Sequence, residues 1–220
     1  MIYNKRFYMH FKFEQLCPHV FQNVVLNSSI WNKDVVISKD ERILIHAISG
    51  SGKTSFIHYL LGLRNDYSGS ILIDGKNINS IDMDAFTEIR RKGISTVFQD
   101  LQLFDDLTVK ENIAILPEFA FGYDLENAHK MLEDLDIIEK WEQKVSKLSF
   151  GQKQRVAIIR ALMKPFDFLI CDEPFSHLDK LNTMKCTVLI EKRLKEEQAG
   201  LILLGLEEEC SFTDIKTLQL

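Results

Sequence analysis

The chain has little of what would mark a secreted, membrane-spanning or nucleic-acid-coating protein. Its four cysteines, Cys17, Cys171, Cys186 and Cys210, stand far apart in 220 residues, with no C-x-x-C pair and no Cys/His ligand spacing. A disulfide framework and a structural zinc site are therefore not expected, and reduced cytoplasm is the expected compartment. Basic residues are not in excess: 27 Lys and Arg against 32 Asp and Glu leave a net charge of −5. That balance lacks the positive footprint of a protein that grips nucleic acid by its phosphates, so no nucleic-acid partner is expected. Apolar runs such as Gly200 to Leu206 are far too short to span a bilayer, and the start Met1-Ile2-Tyr3-Asn4-Lys5-Arg6 lacks the apolar stretch of a signal peptide. Work at a membrane would need a partner to hold the chain there. Internal repeats and low-complexity segments are also missing. With 45 % hydrophobic residues, the length suffices to bury a sizeable core.

What is there centres on Ser49-Gly50-Ser51-Gly52-Lys53-Thr54. The apolar run Ile43-Leu44-Ile45 precedes it, and Ser55 opens a segment whose apolar residues 56, 57, 60 and 61 recur at helical spacing. Strand, glycine loop and helix form the setting of a phosphate loop. Two glycines let successive N–H groups turn inward onto phosphate oxygens, Lys53 can reach the β and γ phosphates, and the Thr54 hydroxyl can ligate Mg²⁺. A flexible Ser/Gly loop with a solvated lysine would explain neither the strand that feeds it nor the helix that leaves it. The full phosphate-loop pattern would have a further glycine at position 47, where this chain has Ala47.

Ahead of the loop, residues 7–14, Val24 to Ile30 and Val35 to Ile37 alternate loosely and predict a small antiparallel sheet, with Phe21 among them. After it, Gly62 reads as a helix C-cap, Ser68-Gly69 as a turn into Ile71-Leu72-Ile73, and Asp74-Gly75 as a tight hairpin. A helix near Asp82 to Lys92 leads to the apolar strand Ile94 to Phe98, which stops at Gln99. The 50 residues up to Ser149 read as an inserted helical block. Thr108 and Glu111 have capping-box spacing there, and Leu125, Ala128, Met131, Leu132 and Leu135 form a stripe that belongs to the core. Leu148-Ser149-Phe150-Gly151-Gln152 precedes a helix predicted over Lys153 to Met163. Ser149 as N-cap, the Gly151 amide and the helix dipole offer a second anion-binding point, although taken alone the pentapeptide reads as a plain cap. The strand Phe166 to Cys171 ends in Asp172-Glu173-Pro174. Two adjacent carboxylates at the mouth of a buried strand are costly unless they hold metal or water. Strands at 201–204 and around Ile215 to Leu220 close the chain.

This ordered set, with Ser176-His177-Leu178-Asp179 after the carboxylates, resembles the ATP-binding cassette (ABC) ATPases over nearly the whole chain. The resemblance implies an α/β fold: a P-loop NTPase parallel-sheet core, roughly residues 1–99 and 153–220, an antiparallel β subdomain, and an inserted helical subdomain over about 100–152, all in a single domain. It implies ATP and Mg²⁺ as ligands. Residues 49–55 would cradle phosphates, and Thr54, Gln99 and Asp172 would hold the metal. Glu173 would be the base that positions water, with Gln99 and Lys53 beside it. Ser149, Gly151 and Gln152 would be signature residues that cover the nucleotide of a second copy, Asp179 the D-loop aspartate, and Phe21 the aromatic residue that stacks on adenine. A homodimer formed with ATP would carry two sites.

Two further departures accompany Ala47. Phe150 replaces the first glycine of the signature, and alignment on the last core strand puts Leu206 where the family has a switch histidine, so turnover is expected to be impaired. The stretch Ile89 to Ile113 is similar to the lipoprotein-release, macrolide-export and cell-division subgroup. The expected function is the ATP-hydrolysing subunit of an ABC transporter, peripheral on the cytoplasmic face of a membrane and powering a separate permease. The alternatives are a soluble ABC ATPase of DNA repair or translation and, on account of Leu206, a slow or non-hydrolysing nucleotide-dependent clamp.

Overall fold

The computed structural model describes residues 9–48, 50–115, 125–205 and 212–220. In chain order it runs β1 (His10–Pro18), β2 (Val35–Ser38), β3 (Arg42–His46), α1 (Lys53–Leu60), β4 (Tyr67–Ile73), β5 (Lys76–Asn77), α2 (Met83–Gly93) and β6 (Ile94–Val97). Then follow α3 (Val109–Ala114), α4 (Leu125–Asp134), α5 (Phe150–Leu162), β7 (Phe168–Asp172), α6 (Lys180–Glu197), β8 (Gly200–Gly205) and β9 (Ile215–Gln219).

Among the described residues, the strands make two sheets, a parallel one in the order β6-β7-β8-β3-β9 and an antiparallel one in the order β2-β1-β4-β5. The central strands β7, β8 and β3 carry apolar runs because both of their faces are covered, whereas the edge strand β9 is polar and half-exposed. Leu44, Leu169, Cys171, Leu201 and Leu203 face a core shared with α4, α5 and α6. Their neighbours Ile43, Ile45, Phe168, Ile170, Ile202 and Leu204 face a second core with Phe11, Phe13, Trp31, Phe56 and Tyr59. Parallel pairing brings the carboxyl ends of β3, β6, β7 and β8 to one edge, where crevices for ligands form in open α/β sheets.

Several local readings hold. Asp74 and Gly75 both adopt positive φ, 51° and 77°, the pair that a two-residue hairpin between β4 and β5 needs. Gly62, at φ 61°, ends α1 with its N–H on the Tyr59 carbonyl and the Leu63 N–H on the His58 carbonyl. Thr108 and Glu111 form the expected capping box.

Four readings are corrected. Val24 to Ile30 is irregular chain and no strand: the Ser28 hydroxyl accepts the N–H groups of Ile30 and Trp31, which a ladder would otherwise take. Ser68-Gly69 is no turn but part of β4, and Gly69, at φ 83°, faces an irregularity in β1 where a Cβ would stand 2.3 Å from the Gln15 carbonyl oxygen. The block after Gln99 is less helical than its stripe suggests, because residues 100–107 are turns and Thr108 bridges Lys144. The helix expected from Lys153 starts at Phe150, since Ser149 is its cap and Gln152 its third residue.

Candidate active site

The loop between β3 and α1 owes its shape to its glycines. Gly50 and Gly52 have φ of 81° and 97°, which side chains rarely adopt. A Cβ on Gly52 would also stand 3.1 Å from Phe21 and 3.2 Å from Trp31, so two rings close the outer side of the loop. Trp31, buried, donates its indole N–H to the Ser51 carbonyl at 3.0 Å and fixes the loop's height. Ala47 is buried and its φ is not positive, so alanine fits in place of glycine. Ser49 lies outside the described residues. Ser55 turns its hydroxyl to Arg64 at 3.0 Å, and Thr54 stands exposed on the first turn of α1.

Lys53, the first residue of α1, forms an ion pair with Glu173 Oε1. The other carboxylate oxygen of Glu173 accepts from Gln99 Nε2 at 3.4 Å. Residues 53, 99 and 173, far apart in sequence, thus meet where β3, β6 and β7 end. Beside them Asp172, at 5 % exposure, ends β7. Its Oδ1 is buried and has no hydrogen-bond partner among the described residues. Burial first, then the Glu173 charge, push its carboxyl up to about 6, against the pull of Lys53. A buried carboxylate oxygen without a donor, beside a second carboxylate, suits a cation that neither Lys53 nor Gln99 replaces. These residues therefore fit a divalent metal. Glu173 itself has a φ of 47°, a left-handed backbone that surroundings must enforce at a non-glycine residue.

The second cluster lies at the start of α5. Ser149 Oγ accepts the Gln152 N–H at 3.3 Å and Gln152 Oε1 accepts the Ser149 N–H at 2.9 Å. Neither hydrogen-bonds to residues 50–55 among the described residues, so the fold does not join this cap to the same chain's phosphate loop. Phe150, 46 % exposed, turns outward onto the His177 ring, 4.2 Å between centroids. Asp179 caps α6: it accepts the Asn182 N–H at 2.8 Å, which holds its carboxyl below the usual carboxylate range. Leu206 lies outside the described residues.

Two supporting side chains escaped the sequence reading. Trp31 gave no local signal. Arg160 was visible as a cation in the apolar second half of α5; it donates to the carbonyls of Leu101 and Gln102 at 2.8 and 2.7 Å, fixing the positive-φ turn just beyond Gln99.

Glycine loop, lysine, strand-end carboxylates and glutamine define a P-loop nucleotide-binding class of protein. A model of the ABC transporter family matches residues 31–176, and the chain belongs to that family. The macrolide export ATP-binding/permease protein MacB of Campylobacter jejuni is 33 % identical over 183 residues, 81 % of this chain and 28 % of that protein, so this chain spans little more than a quarter of it. The lipoprotein-releasing system ATP-binding protein LolD is 38 % identical in Buchnera aphidicola over 66 % of this chain and 65 % of that one, and 33 % identical in Treponema denticola over 81 % of each. These relatives fall in the macrolide-export and lipoprotein-release subgroup that the stretch from Ile89 to Ile113 resembles. Among solved structures, a dimeric ATP-binding cassette in a post-hydrolysis state with ADP and Pi superimposes with a TM-score of 0.78 at 26 % identity, covering 94 % of both chains. Among the described residues, no helix is long and apolar enough to cross a membrane.

Proposed function

We propose that this chain is the ATP-binding and ATP-hydrolysing subunit of an ABC transporter, a single ABC ATPase domain with its core near 1–99 and 153–220 and its helical subdomain near 100–152. It works on the cytoplasmic face of a membrane and powers a separate permease. The observation that carries the reading is the convergence of Lys53, Gln99 and Glu173 beside the buried Asp172 oxygen, which has no hydrogen-bond partner among the described residues.

The chemistry is phosphoryl transfer to water, in which positioning and charge stabilisation do most of the work. Residues 49–55 supply backbone donors to the phosphates, and Lys53 exchanges Glu173 for the β and γ phosphates. Glu173, released, accepts from the attacking water, and Gln99 aligns it. Thr54, Gln99 and Asp172 would hold Mg²⁺, which when bound offsets phosphate charge. Phe21, whose ring lies against Gly52, stacks on adenine. Ser149, Gly151 and Gln152 cover the γ-phosphate of a second copy, which their separation from the chain's own loop supports, and Asp179 stands at that interface. The dimeric ATP-binding cassette found among solved structures supports a homodimer formed with ATP.

Lys53→Ala tests the reading. It removes the cation that the loop directs at the phosphates, so equilibrium titration should show MgATP binding lost or severely weakened, with no turnover. An unchanged dissociation constant would place the nucleotide elsewhere.

A further inference from the structure

Resting on the reading of Glu173 as the residue that orients water, we propose that Gln154 is a positioning residue for hydrolysis, pinning the Glu173 backbone to the helix that carries the signature. Gln154 lies on α5 at 1 % exposure. A buried primary amide must satisfy both of its polar ends, and this one spends them all on a single loop. Its Nε2 donates to the Glu173 carbonyl at 3.2 Å and to Ser176 Oγ at 3.4 Å, while its Oε1 accepts the His177 N–H at 3.3 Å. Ser176 adds its Oγ, at 3.2 Å, and its N–H, at 3.4 Å, as donors to the same Glu173 carbonyl, and its Oγ also lies 2.9 Å from His177 Nδ1.

Glu173 needs such restraint. Its φ of 47° is one that an L residue keeps only when its neighbours over-determine it. On the other side of the residue, its N–H donates to the Leu204 carbonyl at 2.8 Å. The carbonyl held by Gln154 and the N–H held by β8 together fix the direction of the side chain.

The same helix and loop touch at two further points. The Phe150 ring packs on His177, and a Cβ on Gly151 would stand 3.0 Å from the His177 carbonyl oxygen, a closeness that glycine permits. The start of α5 and residues 173–178 are therefore packed together at several points, of which Gln154 is the one that reaches the Glu173 backbone.

A merely structural amide would change stability alone. Among the described residues, the Gln154 side chain hydrogen-bonds to neither the phosphate loop nor Lys53, so a positioning role separates turnover from affinity. Gln154→Met keeps the length of the side chain and removes both polar ends. In the full chain, kcat should fall on the order of 10²-fold while KM and Kd for MgATP stay within about two-fold. Ser176→Ala, at an exposed position, removes one donor to the same carbonyl and should lower kcat by a smaller factor. A folded Gln154→Met with the parent's kcat, or with a loss confined to KM or Tm, overturns the inference. If Gln154→Met does not fold, Ser176→Ala at the parent's kcat overturns it instead. A parent without MgATPase activity overturns the functional reading together with this inference, whereas an active parent with unaffected variants overturns the inference alone.

Discussion

Glu173→Gln should raise ATP affinity and lower turnover at once, because the same carboxylate that orients water also holds Lys53 before nucleotide arrives. The side chains of Lys53 and Glu173 are 20 % and 23 % exposed, so the pair is sheltered but not dry. The amide oxygen of the substituted side chain still accepts from the charged Lys53, so the change removes only the attraction between the two opposite charges, which for a pair this exposed is about 1 kcal/mol at most. ATP should therefore bind more tightly, by up to roughly five-fold. Loss of the base should cut kcat by about 10² to 10⁴, and the tighter, unhydrolysed complex should accumulate as an ATP-bound dimer. Trp31, hydrogen-bonded to the phosphate loop, provides a fluorescence signal for the titration, and sedimentation with MgATP follows the dimer. A variant that binds ATP no more tightly than the parent, or that stays monomeric at saturating ATP while the parent dimerises, refutes the reasoning.

Two further outcomes follow from the geometry. Gly50→Ala and Gly52→Ala should both destabilise the fold by about 1–2 kcal/mol through their left-handed backbone, but Gly52→Ala alone should shift Trp31 emission, because a Cβ at Gly50 meets nothing within 4 Å; identical spectra would contradict the packing. Asp172 has its carboxyl pushed up to about 6 from an ordinary 3.8, so between those pH values the folded chain binds more protons than the unfolded one, and its stability falls as pH rises through that window. Asp172→Asn lacks this fall, and the urea midpoints of variant minus parent, in EDTA, should increase from pH 4 to pH 6 and level off above. A pH-independent difference would contradict the burial of that carboxyl.

The sequence determined the features whose physics is local. Gly50 and Gly52 permit the loop, Asp74-Gly75 permits the hairpin, and Ser149 with Gln152, like Thr108 with Glu111, caps a helix through neighbours three residues away. Apolar runs ending in Gln99 and in Asp172-Glu173 announced strands with chemistry at their ends, and the family resemblance implied that these strands run parallel. Where local signals misled, a competing partner had overruled them: Gly69 reads as a turn until the distant β1 lies beside it, and Val24 to Ile30 reads as a strand until Ser28, two and three residues away, takes the N–H groups of Ile30 and Trp31. Only the tertiary structure decided the order β6-β7-β8-β3-β9, and with it the meeting of Lys53 and Glu173 across 120 residues of chain. It also decided that Trp31 supports the phosphate loop and that Gln154 holds Glu173. Those contacts have no sequence signature, because the entropy of closing such loops is offset by the packing of the whole core and not by any short segment.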